Sequence, residues 1–100
     1  MAKELSIFFM EGCPYCIKAR KAVQELQSQN AAYAAVPVRW IDENKEAALA
    51  AKYDYYRVPT IYDGERKLYE ATPMDDYNTI KSQVEAAFKA VLAGDDGSGA

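Results

Sequence analysis

The chain of 100 residues has no histidine and only two cysteines, Cys13 and Cys16. No Cys–His catalytic pair can form, and sulfur and imidazole from one chain cannot complete a four-ligand zinc site, so no metal centre is expected. An excess of charge of one sign is also missing. The 12 basic and 15 acidic residues leave a net charge of −3, which offers no electrostatic footprint for nucleic acid or an anionic membrane. Long apolar runs are absent too. The run Leu5 to Met10 is interrupted by Ser6, follows the single early Lys3, and is too short for a signal-peptide core or a membrane span. A cytoplasmic location without a membrane partner is the expectation. Neither an internal repeat nor a linker is visible.

Half of the residues are apolar, enough for one compact core and not for two. Residues 1–93 are expected to form a single domain acting as a monomer. The polar, glycine-rich residues 94–100 are expected to be a disordered tail.

Leu5-Ser6-Ile7-Phe8-Phe9-Met10, ended by Gly12, reads as a strand buried on both faces. Pro14 can open a helix, because its missing N–H is one that the first turn leaves unpaired. The stretch to about Gln29 keeps Cys16, Ala19, Val23 and Leu26 on one stripe. Residues 35–41 have strand composition, but Pro37 restricts them to a sheet edge. Asp42 is an N-cap candidate for an alanine-rich helix running to about Tyr53. Residues 58–62 and 67–70 flank Asp63-Gly64 and predict a hairpin. Thr72-Pro73-Met74-Asp75 supplies a cap, a first-position proline and an acid three residues after the cap. These start a last helix that buries Tyr77, Ile80, Val84, Phe88 and Val91 and stops at Gly94. The expected architecture is α/β: a four-stranded mixed sheet of order 2-1-3-4 flanked by three helices on both faces.

The two cysteines sit three residues apart where a strand becomes a helix. A disulfide closing so short a loop would constrain little of the unfolded chain, and a reducing cytosol would not keep it, so a redox role is left. Exchange needs a thiolate that attacks a disulfide and a second thiol that resolves the mixed disulfide. At the helix start, unpaired N–H groups and the dipole favour negative charge on Cys13, while Cys16 lies one turn inside. Cys13 is thus the expected attacker and Cys16 the resolver. Glu11 either opposes that charge or is a solvated surface acid. Tyr15, between the cysteines, is expected on the rim of a substrate groove, with Tyr55 and Tyr56 as candidate neighbours. Tyr53, Tyr62, Tyr69 and Tyr77 are read as packing residues.

Cys13-Pro14-Tyr15-Cys16 resembles the active-site quartet of glutaredoxins. Ala51-Lys52-Tyr53, then Arg57-Val58-Pro59-Thr60 and Asp63-Gly64, is similar in order and spacing to the thioredoxin segment around its cis-proline. The resemblance implies a thioredoxin-like fold and a cis bond before Pro59 against the Cys13 sulfur. It also implies a groove in which Val58 offers backbone groups to an extended substrate, shaped by Pro59 and Thr60. Where glutaredoxins carry a lysine three residues before the first cysteine, this chain has Met10. Where they carry a Gly-Gly-x-Asp-Asp-like stretch, it has Thr72-Pro73-Met74-Asp75-Asp76. Asp75 and Asp76 are placed to receive the amino group of glutathione, or else make an ordinary acidic first turn of a helix. The expected function is a dithiol oxidoreductase acting on protein disulfides, without a resident cofactor. Glutathione or a flavoprotein disulfide reductase would donate the electrons. The alternatives are a glutathione-dependent glutaredoxin proper and an iron–sulfur cluster-binding relative, against which Pro14 argues.

Overall fold

A computed structural model of the chain describes residues 4–93. The expected tail at 94–100 and the expected helix stop at Gly94 lie outside the described residues. The order of elements is β1 (Leu5–Phe9), α1 (Pro14–Gln29), α2 (Ala31–Ala34), β2 (Val38–Asp42), α3 (Ala47–Ala50), β3 (Thr60–Asp63), β4 (Arg66–Glu70) and α4 (Tyr77–Leu92). The strands form one mixed sheet in the order β2-β1-β3-β4, as the sequence predicts. β1 pairs parallel with β2 (Ile7 opposite Trp40) and antiparallel with β3 (Ile7 opposite Ile61). β2 takes an edge, so Pro37, just outside it, removes no ladder bond; its carbonyl accepts instead from the Leu5 N–H at 3.0 Å.

Side chains alternate across the sheet and feed two cores. Leu5, Ile7 and Ile61 join Ala19, Val23 and Leu26 of α1 and Ile80, Val84 and Phe88 of α4 on one side. Phe8, Ile41 and Tyr62 face the other side, covered by Leu49, Ala50, Tyr53 and Tyr55. The periodic stripes read from the sequence for α1 and α4 are therefore the buried ones, with Tyr77 only partly covered. α2 was not anticipated. Asn30 caps it by accepting from the Ala32 N–H at 2.9 Å, and its Tyr33 ring stacks on Phe88 with centroids 5.0 Å apart. Among the described residues no helix is long and apolar enough to cross a membrane.

Two helix starts differ from expectation, so the three expected helices become two long ones and two single turns. Asp42 ends β2 and caps a turn rather than a helix: its Oδ1 accepts from the N–H groups of Asn44 (2.9 Å) and Lys45 (3.4 Å). Only Ala47–Ala50 is helical, and none of its residues is fully buried. Alanine favours helix but brings little apolar area, whereas Tyr53 and Tyr55 reach Phe8 with ring centroids 4.8 and 5.1 Å away. Aromatic burial wins over propensity, and the chain leaves the helix early.

The Thr72 signal forms half of the expected reciprocal pair, the Asp75 N–H going to the Thr72 carbonyl and the Thr72 hydroxyl accepting from the Met74 N–H instead, and no helix follows from it. The Thr72 hydroxyl donates to Asp75 Oδ1 (3.0 Å), and Asp75 Oδ2 accepts from the Thr72 N–H (3.1 Å). The turn is tied to β4 because the Tyr69 hydroxyl donates to the same carboxylate. Asp76 then returns to extended backbone (φ −89, ψ −179) and caps α4 itself, accepting from the Thr79 N–H at 2.8 Å.

These bonds to the Asp75 carboxylate, with the Tyr69 hydroxyl first, hold its pKa below the ordinary value. A depressed folded-state pKa gives stability that is complete above the unfolded pKa of about 3.9 and is lost as pH falls through the folded one. Asp75→Asn is therefore expected to lower Tm at pH 7, with the gap to the parent closing below about pH 4. Thermal melts of both proteins at pH 7 and pH 3 check this; a gap independent of pH would refute the role.

Candidate active site

β1 ends at Phe9, and the chain turns through Gly12, whose φ of +79 suits glycine, before α1 begins. Cys13 is the N-cap of α1, with extended backbone (φ −76, ψ 120), and Pro14 occupies the first turn. Extended backbone at Cys13 followed by helix places the two sulfurs at different depths. Cys13 is partly exposed and Cys16 is 5% exposed; both are free thiols. Burial pushes the Cys16 thiol up to about 12. A hydrogen bond with the Met10 backbone opposes this, while Cys13 and the Glu43 carboxylate push the same way.

Across from Cys13 lies the loop before β3. The Val58–Pro59 bond is cis, as the resemblance implies, and the Val58 carbonyl oxygen is 3.9 Å from Cys13 Sγ. Pro59 and Thr60 are fully buried. Thr60 therefore acts from beneath, its hydroxyl donating to the Arg57 carbonyl to close the loop. The Pro59 carbonyl accepts from the Ala71 N–H at 3.0 Å, tying the loop to the segment after β4.

Tyr15, Val58, Thr72 and Pro73, with Arg57 and Ala71, line a small hollow of ≈ 50 Å³. The Tyr15 hydroxyl donates to the Pro73 carbonyl at 3.0 Å, closing one wall of this hollow. Tyr15 is thus half-buried rather than a free rim residue. Asp75 has its carboxylate engaged by Tyr69 and Thr72, while Asp76 is exposed at the start of α4. Tyr55 is not a neighbour of this groove: it packs on Phe8, and its hydroxyl donates to Glu43 at 2.7 Å. Tyr56 is 91% exposed.

A second hollow of ≈ 60 Å³ reaches Cys16 between Phe9, Met10, Gly12, Ile17 and Arg20. The Arg20 guanidinium lies 4.2 Å from the Trp40 ring centroid. Glu11 is exposed and also lines this hollow, in agreement with a solvated acid. A separate hollow of ≈ 360 Å³, lined by Leu49, Lys52, Tyr53, Asp54, Tyr62 and Glu65, contains neither cysteine. Arg57 and Ala71 in the groove, and Glu70 behind its loop, escaped the sequence reading. Arg57 stands beside the Val-Pro pair as an exposed cation, a signal that could have been used. Glu70 reaches the loop from β4 and left no local trace.

The arrangement joins one accessible and one buried thiol at a helix start to a cis-proline loop. Among solved structures, one described as "Structure of a malarial protein" is 18% identical, with a TM-score of 0.59, covering 86% of this chain and 97% of that one. A point mutant of thioredoxin from Halobacterium salinarum NRC-1 is 24% identical, with a TM-score of 0.55, covering 84% of this chain and 73% of that one. Both likenesses concern the fold. No curated protein matches the sequence. The family model described as "Glutathione S-transferase, N-terminal domain" matches residues 7–83, and with its thioredoxin-like fold and Cys-x-x-Cys spacing the chain belongs to that family.

Proposed function

We propose that the protein is a dithiol thiol–disulfide oxidoreductase in which Cys13 attacks and Cys16 resolves. The observation that carries this reading is the difference in depth between the two thiols. Cys13 is accessible at the helix N-cap, 3.9 Å from the Val58 carbonyl, while Cys16 is buried behind it. The Cys13 thiolate attacks one sulfur of a substrate disulfide; the other sulfur leaves as a thiolate and takes a proton from solvent. Cys16 then gives up its proton and attacks Cys13 Sγ, releasing the second substrate thiol and leaving a Cys13–Cys16 disulfide. Two electrons from an external thiol donor restore the pair. Cys13 itself contributes to holding Cys16 protonated, so its conversion to a mixed disulfide eases the proton loss at the moment resolution requires it.

The proposed substrates are protein disulfides. Met10 stands where a lysine would meet a glutathione carboxylate, and Thr72 and Pro73 stand in place of flexible glycines. Asp75, one of the two candidate partners for a glutathione amino group, is already engaged by Tyr69 and Thr72. Losing the lysine contact alone costs on the order of 1–3 kcal/mol if it is desolvated, or about 5- to 150-fold in affinity. A second reading, turnover driven by glutathione with Asp76 receiving its amino group, is favoured by the family match over residues 7–83. Insulin reduction with dithiothreitol, run beside glutathione-driven turnover on the same preparation, separates the two. Clear insulin reduction with weak glutathione turnover is expected. Glutathione turnover equal to that of an ordinary dithiol glutaredoxin would establish the second reading, and inactivity in both assays would refute the first.

A further inference from the structure

Glu70, the last residue of β4, reaches across to the loop that faces Cys13. Its Oε2 accepts from two consecutive backbone N–H groups, Tyr56 at 2.6 Å and Arg57 at 2.8 Å, while Oε1 accepts from Lys67 Nζ at 2.8 Å. Two adjacent N–H groups converging on one oxygen form a small anion-binding concavity, filled here by the protein's own carboxylate. Such bonds are charge-assisted and stronger than those a water molecule would supply at this surface.

The strand is shaped for this contact. Residues three apart on a regular strand point to opposite faces. In β4 the register shifts: Tyr69 opposes Ile61 and Lys67 opposes Tyr62, so Leu68 is an extra residue between consecutive partners. This bulge brings Lys67 and Glu70 to the same face, where they form a partly exposed ion pair; bulges next to functional sites characteristically re-aim a side chain in this way. Glu70 also pairs directly with Thr60, whose hydroxyl closes on the Arg57 carbonyl. The loop is thus tied at its entry by Glu70, in its middle by Thr60 and at its exit by the bond from Ala71 N–H to the Pro59 carbonyl. Between these ties the Val58 carbonyl faces Cys13 Sγ at 3.9 Å.

We infer that Glu70 is a positioning residue for disulfide exchange, its carboxylate fixing the Tyr56–Arg57 backbone so that Val58 presents its peptide groups to a substrate docked over Cys13. This rests on the oxidoreductase reading above. Glu70 touches neither sulfur, so its effect falls on docking of the substrate and not on the reactivity of the Cys13 thiol.

The test compares Glu70→Ala, Glu70→Gln and Lys67→Ala with the parent in insulin reduction, and measures Cys13 alkylation by iodoacetamide on the same samples. Glu70→Ala is expected to raise the KM for insulin about 10-fold, and Glu70→Gln, which keeps an acceptor oxygen without the charge, about 3-fold. Lys67→Ala, which leaves the carboxylate on the two N–H groups, should stay within about 2-fold of the parent, as should Cys13 alkylation in all three variants. A KM within about 2-fold of the parent in Glu70→Gln, or a fall in Cys13 alkylation matching the loss of turnover, overturns the inference. If Glu70→Ala does not fold by near-ultraviolet circular dichroism, Glu70→Gln decides alone. A parent protein that forms no mixed disulfide at Cys13 refutes the exchange reading itself, whereas an active parent with unshifted variants refutes only the role of Glu70.

Discussion

Replacing Cys13 with Ser is expected to reduce disulfide exchange to background, a loss on the order of 1,000-fold or more, because no other accessible thiol remains. Cys16→Ser is expected to behave differently. It keeps the proposed attacking thiol and loses the proposed resolver, so the first half of the reaction should proceed and a stable mixed disulfide accumulate, visible as added mass after treatment with a disulfide reagent. The two thiols should also separate without mutation. With burial pushing the Cys16 thiol up to about 12, its thiolate fraction at pH 8 lies far below that of an ordinary cysteine thiol. Brief alkylation at pH 8 followed by peptide mapping should therefore find label on Cys13 and almost none on Cys16. Faster labelling of Cys16 would reverse the assigned roles.

The second large effect is on stability. Phe88 is fully buried, stacks on Tyr33 with an interplanar angle of 14°, and sits in the core shared by α1, α4 and the sheet. Phe88→Ala should cost about 3–5 kcal/mol, the sum of lost transfer energy and an unfilled cavity. A domain of this size has about 5–15 kcal/mol in total, and each kcal/mol moves Tm by about 4–8 °C, so Tm should drop by at least ~12 °C. Urea unfolding with an unchanged slope would confirm that the native core is what was lost. A destabilisation below about 1 kcal/mol would show that the surrounding side chains collapse into the space.

What could be read from the sequence was what short-range chemistry decides. The run Leu5–Phe9, the helix opened by Pro14 and the Asp63-Gly64 hairpin each carry their signal within a few residues, and each is present. The match of residues 51–64 to a proline-loop segment located Val58 and Pro59 opposite the cysteines, and Cys13 and Val58 do meet across 45 positions of sequence. The errors have one origin. Asp42 and Thr72 are chemically competent caps, and both do cap turns, but whether a capped turn grows into a helix depends on what the next residues can bury. After Asp42 the gain lay in sending Tyr53 and Tyr55 to Phe8; after Thr72 the link from Asp75 to Tyr69 held the turn against β4. Glu70 was invisible for a related reason: its partners are backbone N–H groups 13 and 14 residues away, and a bulge that no residue type announces aims it at them.

The unequal depth of the two cysteines gives the chain an internal gauge of its own folding. In an unfolded chain Cys13 and Cys16 are chemically alike, three residues apart with the same solvent around them, and only packing of the first turn of α1 sets them apart. The rate at which Cys16 takes up an alkylating reagent therefore follows the population of opened molecules, as amide exchange does, while Cys13 reports the amount of protein present. The ratio of the two labels, read from one peptide, would measure the opening free energy at the start of α1 at a fixed pH.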